Sequence, residues 1–213
     1  MSGSHCYAYA RPAATADCIV LRDNGTMELL LIKRGGDPYK GSWAFPGGFV
    51  DADEDLRDAA VRELEEETCL KGVPLLEIGM FGMPGRDTRG HTITAAYLAA
   101  AGKDLADTVK AADDAAEATW VSLSAPGSLP DLAFDHANIL RAALRKAARG
   151  LAMGDRDIIS VFTGGTIDEA DLAPGMRVHT ELVAGWLAAA TMWERQSAER
   201  AVSCPRYIEA ASA

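Results

Sequence analysis

Residues 47–70, GGFVDADEDLRDAAVRELEEETCL, constrain the fold more than any other stretch of this chain. Leu56, Ala60 and Leu64 recur four apart, which is the spacing of one apolar stripe on a helix over 54–68. Glu63, Glu66 and Glu67 stand at i, i+3 and i+4, so three carboxylates share one face of that helix, where like charges repel. Nine acidic and two basic residues fall between Asp51 and Glu67, a local −7 within a net charge of −10. The acidity therefore describes a place in the molecule rather than its general surface. The apolar stripe anchors the helix in the fold, and its other face needs an answer to the charge. Solvation is one answer. A divalent cation is another: magnesium prefers hard oxygen ligands and shares its shell readily with substrate phosphates. Gly47 and Gly48, just upstream, allow a tight turn and a close backbone approach to a ligand. Arg57 and Arg62 are placed to orient the carboxylates.

The rest of the chain reads as α+β. Strands are expected at 16–23 and 27–34, joined by Asp23-Asn24-Gly25-Thr26, a hairpin signal because Asn and Gly tolerate positive φ. Further strands are expected at 42–51 (broken at Pro46-Gly47-Gly48), 74–83, 91–100 and 117–123, and an amphipathic helix at 134–151. There is no regular alternation of strand and helix, which predicts a mixed sheet flanked by helices. Three units follow: an N-terminal segment 1–14, a domain 15–150, and a mainly helical C-terminal extension 151–213. In the extension, GDRDIISVFTGGTIDEADLAPGM suggests one strand, a Gly-Gly turn and a capped turn, and a long apolar helix carries Trp186, Leu187, Met192 and Trp193. A chain of 213 residues with 48% hydrophobic content can bury a sizeable core. A pI of about 4.8 argues against binding nucleic-acid phosphates. The longest apolar run, 182–193, is too short to span a bilayer. The N-terminus carries no secretory pattern, and the four scattered cysteines read as free thiols, so a cytoplasmic protein is expected.

The acidic stretch resembles the Nudix box, G-x5-E-x7-R-E-U-x-E-E-x-G-U, where U is a bulky aliphatic. Gly48, Glu54, Arg62, Glu63, Leu64, Glu66, Glu67 and Leu70 match it at the required spacing. One position departs: Cys69 stands where the box has Gly, after the helix, where a left-handed residue commonly ends it. That puts the helix exit in doubt but removes no carboxylate. The resemblance implies the Nudix fold, a mixed sheet sandwiched between helices. It also implies metal-dependent hydrolysis of a nucleoside diphosphate linked to another moiety. By the same likeness Glu63, Glu66 and Glu67 are metal ligands, one of them the general base, and the Gly48 carbonyl adds a ligand. Arg62 and Glu54 complete the catalytic set by orienting the acids. The cofactor is Mg²⁺, with Mn²⁺ as the alternative.

Other segments, over about residues 7–150, resemble the branch of that family holding ADP-ribose pyrophosphatases and related regulators of NAD metabolism. They are RPAATADCIVL, GMPGRDTRGHTITAAYLA (82–99, with Pro84) and LAFDHANIL. The expected reaction is ADP-ribose to AMP and ribose 5-phosphate. Arg86 and Arg89 sit in a Gly/Pro loop, where guanidinium forks suit phosphate oxygens. Asp87 would accept from ribose hydroxyls or fix an arginine. Phe45, Trp43 and Tyr39 are stacking candidates for the adenine, with core packing the better reading for at least one of them, and Lys33 and Arg34 end a strand either toward the site or in solvent. Asp113, Asp114 and Glu117 form an acidic cluster that either adds a metal contact or is solvated loop. Asp135 reads as a helix N-cap, His136 as structural, and His91 as a strand start near the loop. Alternative substrates are NADH, a diadenosine polyphosphate or a nucleoside triphosphate. The alternative class is an ADP-ribose-sensing transcriptional regulator. The intact box disfavours it, as does the −4 balance of residues 151–213, which lack the basic stripe of a DNA reader. The expected partner is a small nucleotide, with no nucleic-acid or membrane partner; the apolar C-terminal helix has three readings, packing on its own domain, capping the site, or forming a homodimer.

Overall fold

The computed structural model describes residues 8–112, 115–123 and 129–163. Seven strands and four helices follow in chain order: β1 (Ala13–Asp23), β2 (Met27–Arg34), β3 (Trp43–Ala44), β4 (Gly47–Phe49), α1 (Leu56–Thr68), β5 (Leu76–Phe81), β6 (Thr92–Ala100), α2 (Lys103–Ala106), β7 (Ala115–Ser122), α3 (His136–Met153) and α4 (Arg156–Thr163). The strands form one mixed sheet in the order β3-β2-β1-β6-β5, with β4 added to β1 and β7 to β2. β1 and β6 run parallel over nine residue pairs, and every other pairing is antiparallel.

The central strands are apolar on both faces, as expected of strands covered on both sides. Along β1, Ile19 and Leu21 point to one core, and Ala16, Cys18 and Val20 to the other. The same period of two divides β2 and β6. The first core is closed by α3 and α4 through Ile139, Leu140, Ala143, Leu144, Ala147, Ile158 and Ile159. The second is closed by α1 through Ala59, Ala60 and Leu64. The sheet is thus sandwiched between helices.

Two local expectations change. DIISVF is not a strand: Asp155 accepts backbone N–H groups from Asp157 (3.0 Å) and Ile158 (3.3 Å), an N-cap that starts α4, whose apolar side then packs on the sheet core. Residues 42–51 form two short strands rather than one interrupted strand, with Phe45-Pro46 between them. The exit of α1 keeps its turn despite the cysteine: Cys69 adopts φ 60°, ψ 7°, and its N–H donates to the Glu65 carbonyl at 2.9 Å. The long C-terminal helix, with Trp186 and Trp193, lies outside the described residues, as do Asp113 and Asp114.

Candidate active site

β1 divides its edge between two partners. Its C-terminal part pairs with β2, while Thr15, Ala16 and Asp17 pair with Phe49, Gly48 and Gly47 of β4. That register brings the glycine pair against β1 on one side and against α1 on the other. A Cβ on Gly47 would run into the Ala16 carbonyl oxygen and stand 2.7 Å from the Asp17 carboxylate. A Cβ on Gly48 would stand 2.5 Å from Oε1 of Glu63. At Gly47, against backbone and at positive φ, only glycine fits; at Gly48 a side chain would have to displace the Glu63 carboxylate. The Gly47 N–H donates to Glu67 Oε2 at 2.8 Å, which ties the end of the acidic helix to the same strand.

The charge on α1 is answered by Arg62. Its Nε and Nη2 donate to Glu54 (2.8 and 2.9 Å), its Nη1 to Glu63 (2.8 Å) and Glu66 (3.1 Å), and its Nη2 to the Phe49 carbonyl (3.0 Å). The hydrogen bonds from Arg62, helped by the Asp51 N–H, hold Glu54 down at about 2. The same bonds, those to Glu54 first, push Arg62 further up its range. Glu67 is buried, and Glu66 faces solvent.

Across a cavity of about 310 Å³ from these acids stands a basic and aromatic wall. Thr15, Asp17, Gly48, Glu63 and Glu67 line the cavity together with Arg34, Arg86, Arg89, Phe49, Phe134 and His136. Arg86 is clamped on Asp135 at the start of α3, with Nη2 at 2.7 Å and Nε at 3.1 and 3.2 Å. Asp135 was expected to cap α3 with its side chain; it makes no such bond, because its carboxylate is spent on Arg86. Asp87 holds Arg89, accepting from Nη2 at 2.7 Å and from the backbone N–H at 2.9 Å. Burial pushes Asp87 up, but the bonds from Arg89 and Thr92 outweigh it and leave the carboxyl below its usual range. Arg89 is therefore presented rather than sequestered, its guanidinium 4.5 Å from the Phe49 ring and 5.4 Å from that of Phe134. Arg34 lies 4.9 Å over Phe134.

Of the aromatic candidates, Phe45 is 1% exposed with its ring stacked on His136 at 4.6 Å, so it offers no face to a base. Trp43 packs against the core, and Tyr39 leans on Phe134. Phe45 still touches the cavity lining, but the rings with surface there are Phe49, 41% exposed, and the half-buried Phe134. Lys33 turns to Glu117 (3.6 Å), and His91 bonds the Gly82 carbonyl.

Sequence reasoning missed Asp17. Its signal was visible: one carboxylate inside the apolar run ATADCIVL. Oδ2 accepts from the Thr94 hydroxyl at 2.6 Å, and Oδ1 lies 3.8 Å from His136 Nε2. Burial raises Asp17 to about 6, opposed by the Thr94 bond and the charges of Arg86 and Arg34. Burial likewise lowers His136 to about 3.

The donors around Gly48 fit a hard divalent cation. Glu63 and Glu66 converge on one Arg62 nitrogen, Glu63 lies against the Gly48 backbone, and all are oxygen ligands. Among the described residues no three acids form a closed ligand group: Arg62 stands between Glu63 and Glu66, and Glu67 accepts from the Gly47 N–H.

The NUDIX domain model matches residues 11–143. The chain is 40% identical over 139 residues to an ADP-ribose pyrophosphatase from Methanocaldococcus jannaschii, covering 64% of this chain and 76% of that one. It is 34% identical over 142 residues to an ADPR-responsive transcriptional repressor from Acinetobacter baylyi, covering 65% of this chain and 55% of the repressor. Its fold matches the NUDIX domain of Shewanella oneidensis NrtR, solved in complex with ADP ribose. The TM-score is 0.59 and the identity 26%, over 65% of this chain and 90% of that one.

Proposed function

The chain belongs to the NUDIX family, and from that premise we propose that it is an ADP-ribose pyrophosphatase, releasing AMP and ribose 5-phosphate. The observation that carries the reading is a cavity lined by Glu63, Glu67 and Arg62 of the box together with Arg34, Arg86 and Arg89. A pyrophosphate needs both: counter-charge for its oxygens and a place where a nucleophile is generated. The name of the Methanocaldococcus relative and the ligand of the Shewanella domain support ADP-ribose as substrate.

In this reading Glu63, Glu66, Glu67 and the Gly48 carbonyl hold a divalent cation, magnesium or manganese. When bound, the cation neutralises phosphate charge and lowers the pKa of a water. The protein's own groups do the rest. Arg62 yields Glu63 and Glu66 while keeping Glu54, and so orients the acids rather than neutralising them. One of the three glutamates takes the proton from water. Arg89, presented by Asp87, binds phosphate or ribose-phosphate oxygens, and Arg34 supports it from β2. The Phe49 and Phe134 rings, together with the Arg34 and Arg89 guanidinium planes stacked on them, replace Phe45 as the surface for the base. We further infer a cytoplasmic enzyme, from the nucleotide substrate, and a homodimer, which sedimentation checks.

The test is AMP release from ADP-ribose with magnesium, run beside NADH, a diadenosine polyphosphate and a nucleoside triphosphate, with Glu66→Gln and Glu67→Gln as controls. ADP-ribose is expected to give the highest kcat/KM, and each variant to lose more than about 100-fold while staying folded. Preference for another compound by a wide margin would overturn the substrate. A second reading, an ADP-ribose sensor, is favoured by the Acinetobacter repressor; binding without cleavage would select it.

A further inference from the structure

We propose that Asp17 and His136 form a hydroxyl-reading pair on the floor of the cavity, which holds a ribose hydroxyl of the substrate between a carboxylate acceptor and an imidazole N–H donor. The proposal rests on the ADP-ribose reading for the identity of the sugar and adds residues that lie outside the box.

Each partner is fixed by other bonds. Asp17 is paired with Gly47 across β1 and β4, and the Thr94 hydroxyl, on the parallel strand β6, occupies Oδ2. Oδ1 is left toward His136. The Phe45 backbone N–H donates to His136 Nδ1 at 3.0 Å, so Nδ1 carries no proton and the neutral ring carries it on Nε2. The ring cannot turn away: it is stacked on Phe45 at 4.6 Å and flanked by Phe134 at 5.4 Å. Nε2 thus faces Oδ1 at 3.8 Å, too far for a hydrogen bond between them. Among the described residues neither atom has a hydrogen-bond partner, and both residues line the cavity.

An acceptor and a donor held this far apart, both oriented, match a group that donates and accepts at once. A hydroxyl does both. A phosphate oxygen only accepts and would face the carboxylate; Arg34 and Arg89 serve that charge better. An amino group of the base only donates and would leave the imidazole N–H unanswered. A site built to bond a hydroxyl discriminates against the analogue that lacks it, because the buried polar groups are then left unpaired.

The test compares three substrates: ADP-ribose, its analogue lacking the terminal ribose 2- and 3-hydroxyls, and its analogue lacking those of the adenosine ribose. Each is run on the wild type, Asp17→Asn and His136→Asn. Asparagine at 17 can still accept from Thr94, and asparagine at 136 can still accept from the Phe45 N–H, so each variant has a route to keep its fold; a thermal melt checks it. The wild type is expected to disfavour one deoxy analogue by about 10- to 100-fold in kcat/KM. Either variant should shrink that ratio to within about threefold. A loss on the terminal sugar assigns the pair to the leaving moiety, and a loss on adenosine assigns it to the nucleoside; both support the pair. Should the protein bind without cleaving, the same ratios are read from calorimetric Kd values. Equal handling of all three substrates by the wild type overturns the pair and leaves the ADP-ribose reading standing. So does a variant that weakens all three equally, since the residues would then be scaffold only. Failure to bind or cleave ADP-ribose overturns the substrate reading, and the pair falls with it.

Discussion

On the acidic helix, Arg62 is shared among Glu54, Glu63 and Glu66, with 28% of its side chain exposed, whereas across the cavity Arg86 grips Asp135 with 4% exposed. Both are arginine–carboxylate contacts of similar length. Their surroundings make them different devices. An arginine with several partners at the edge of solvent can release one acid without stranding a charge. A one-to-one pair whose arginine is buried has no second partner among the described residues to take over, so losing either member leaves the other charge uncompensated. The helix side is therefore the one able to rearrange around a cation, and the Arg86–Asp135 pair holds Arg86 at a fixed place in the cavity wall, where the loop meets α3.

The contrast breaks most visibly at Arg86. Replacing it with Ala strands the Asp135 carboxylate near Asp17, and stability is expected to fall by about 3 kcal/mol in urea unfolding. A loss below about 1 kcal/mol would make the pair behave like an exposed one and erase the distinction. Arg62→Lys probes the other side. Lysine keeps the charge but not the planar fork that serves three carboxylates. The magnesium concentration for half-maximal activity is expected to move by about tenfold, with little change in melting temperature. If the melting temperature drops and the metal dependence does not, Arg62 serves the fold and not the metal. Cys69→Gly sharpens the description of the helix itself. A side chain at φ 60° is disfavoured, and glycine should relieve it, raising stability by about 1 kcal/mol in the same unfolding assay.

What was legible beforehand was local. The 27–34 strand, the α1 stripe, and the i, i+3, i+4 acids depend on neighbours in sequence, and periodicity reports those. So did the departure at Cys69, where the fold kept the left-handed turn and accepted the strain. DIISVF, inside a stretch expected to hold one strand, is a short apolar run of branched residues that fits a strand or a buried helix equally well; the Asp155 cap just ahead of it is the cue for the helix. The other misses are long-range. Asp135 reads as a cap until Arg86, 49 residues away, claims its carboxylate. Phe45 reads as an exposed ring until His136, 91 residues away, covers it. Asp17 matters only because β4 and α3 both arrive at β1, and no spacing encodes that.

The smallest expected effect lies between the two regions, at Asp17 and His136, where two titrations oppose each other. Asp17 is raised from 3.8 to about 6, so the folded state binds its proton more tightly. Its contribution to stability is complete below 3.8 and is lost as pH rises through 6. His136 is lowered from 6.5 to about 3, so its contribution is complete above 6.5 and is lost as pH falls toward 3. Over the shared window, about pH 4.5 to 6, the slopes have opposite signs. Glu54, held at about 2 against an ordinary 4.5, and Asp87, also held low, lose their contributions only as pH drops below that window. The wild-type unfolding free energy is therefore expected to be nearly flat from pH 6 to 4.5. Asp17→Asn removes one slope and exposes the other, so its stability should decline steadily as pH falls through that window. A urea series at half-unit pH intervals decides it. Parallel curves for the two proteins would mean that Asp17 is ionised in the fold as readily as in water, and that the floor of the cavity is wetter than its burial implies.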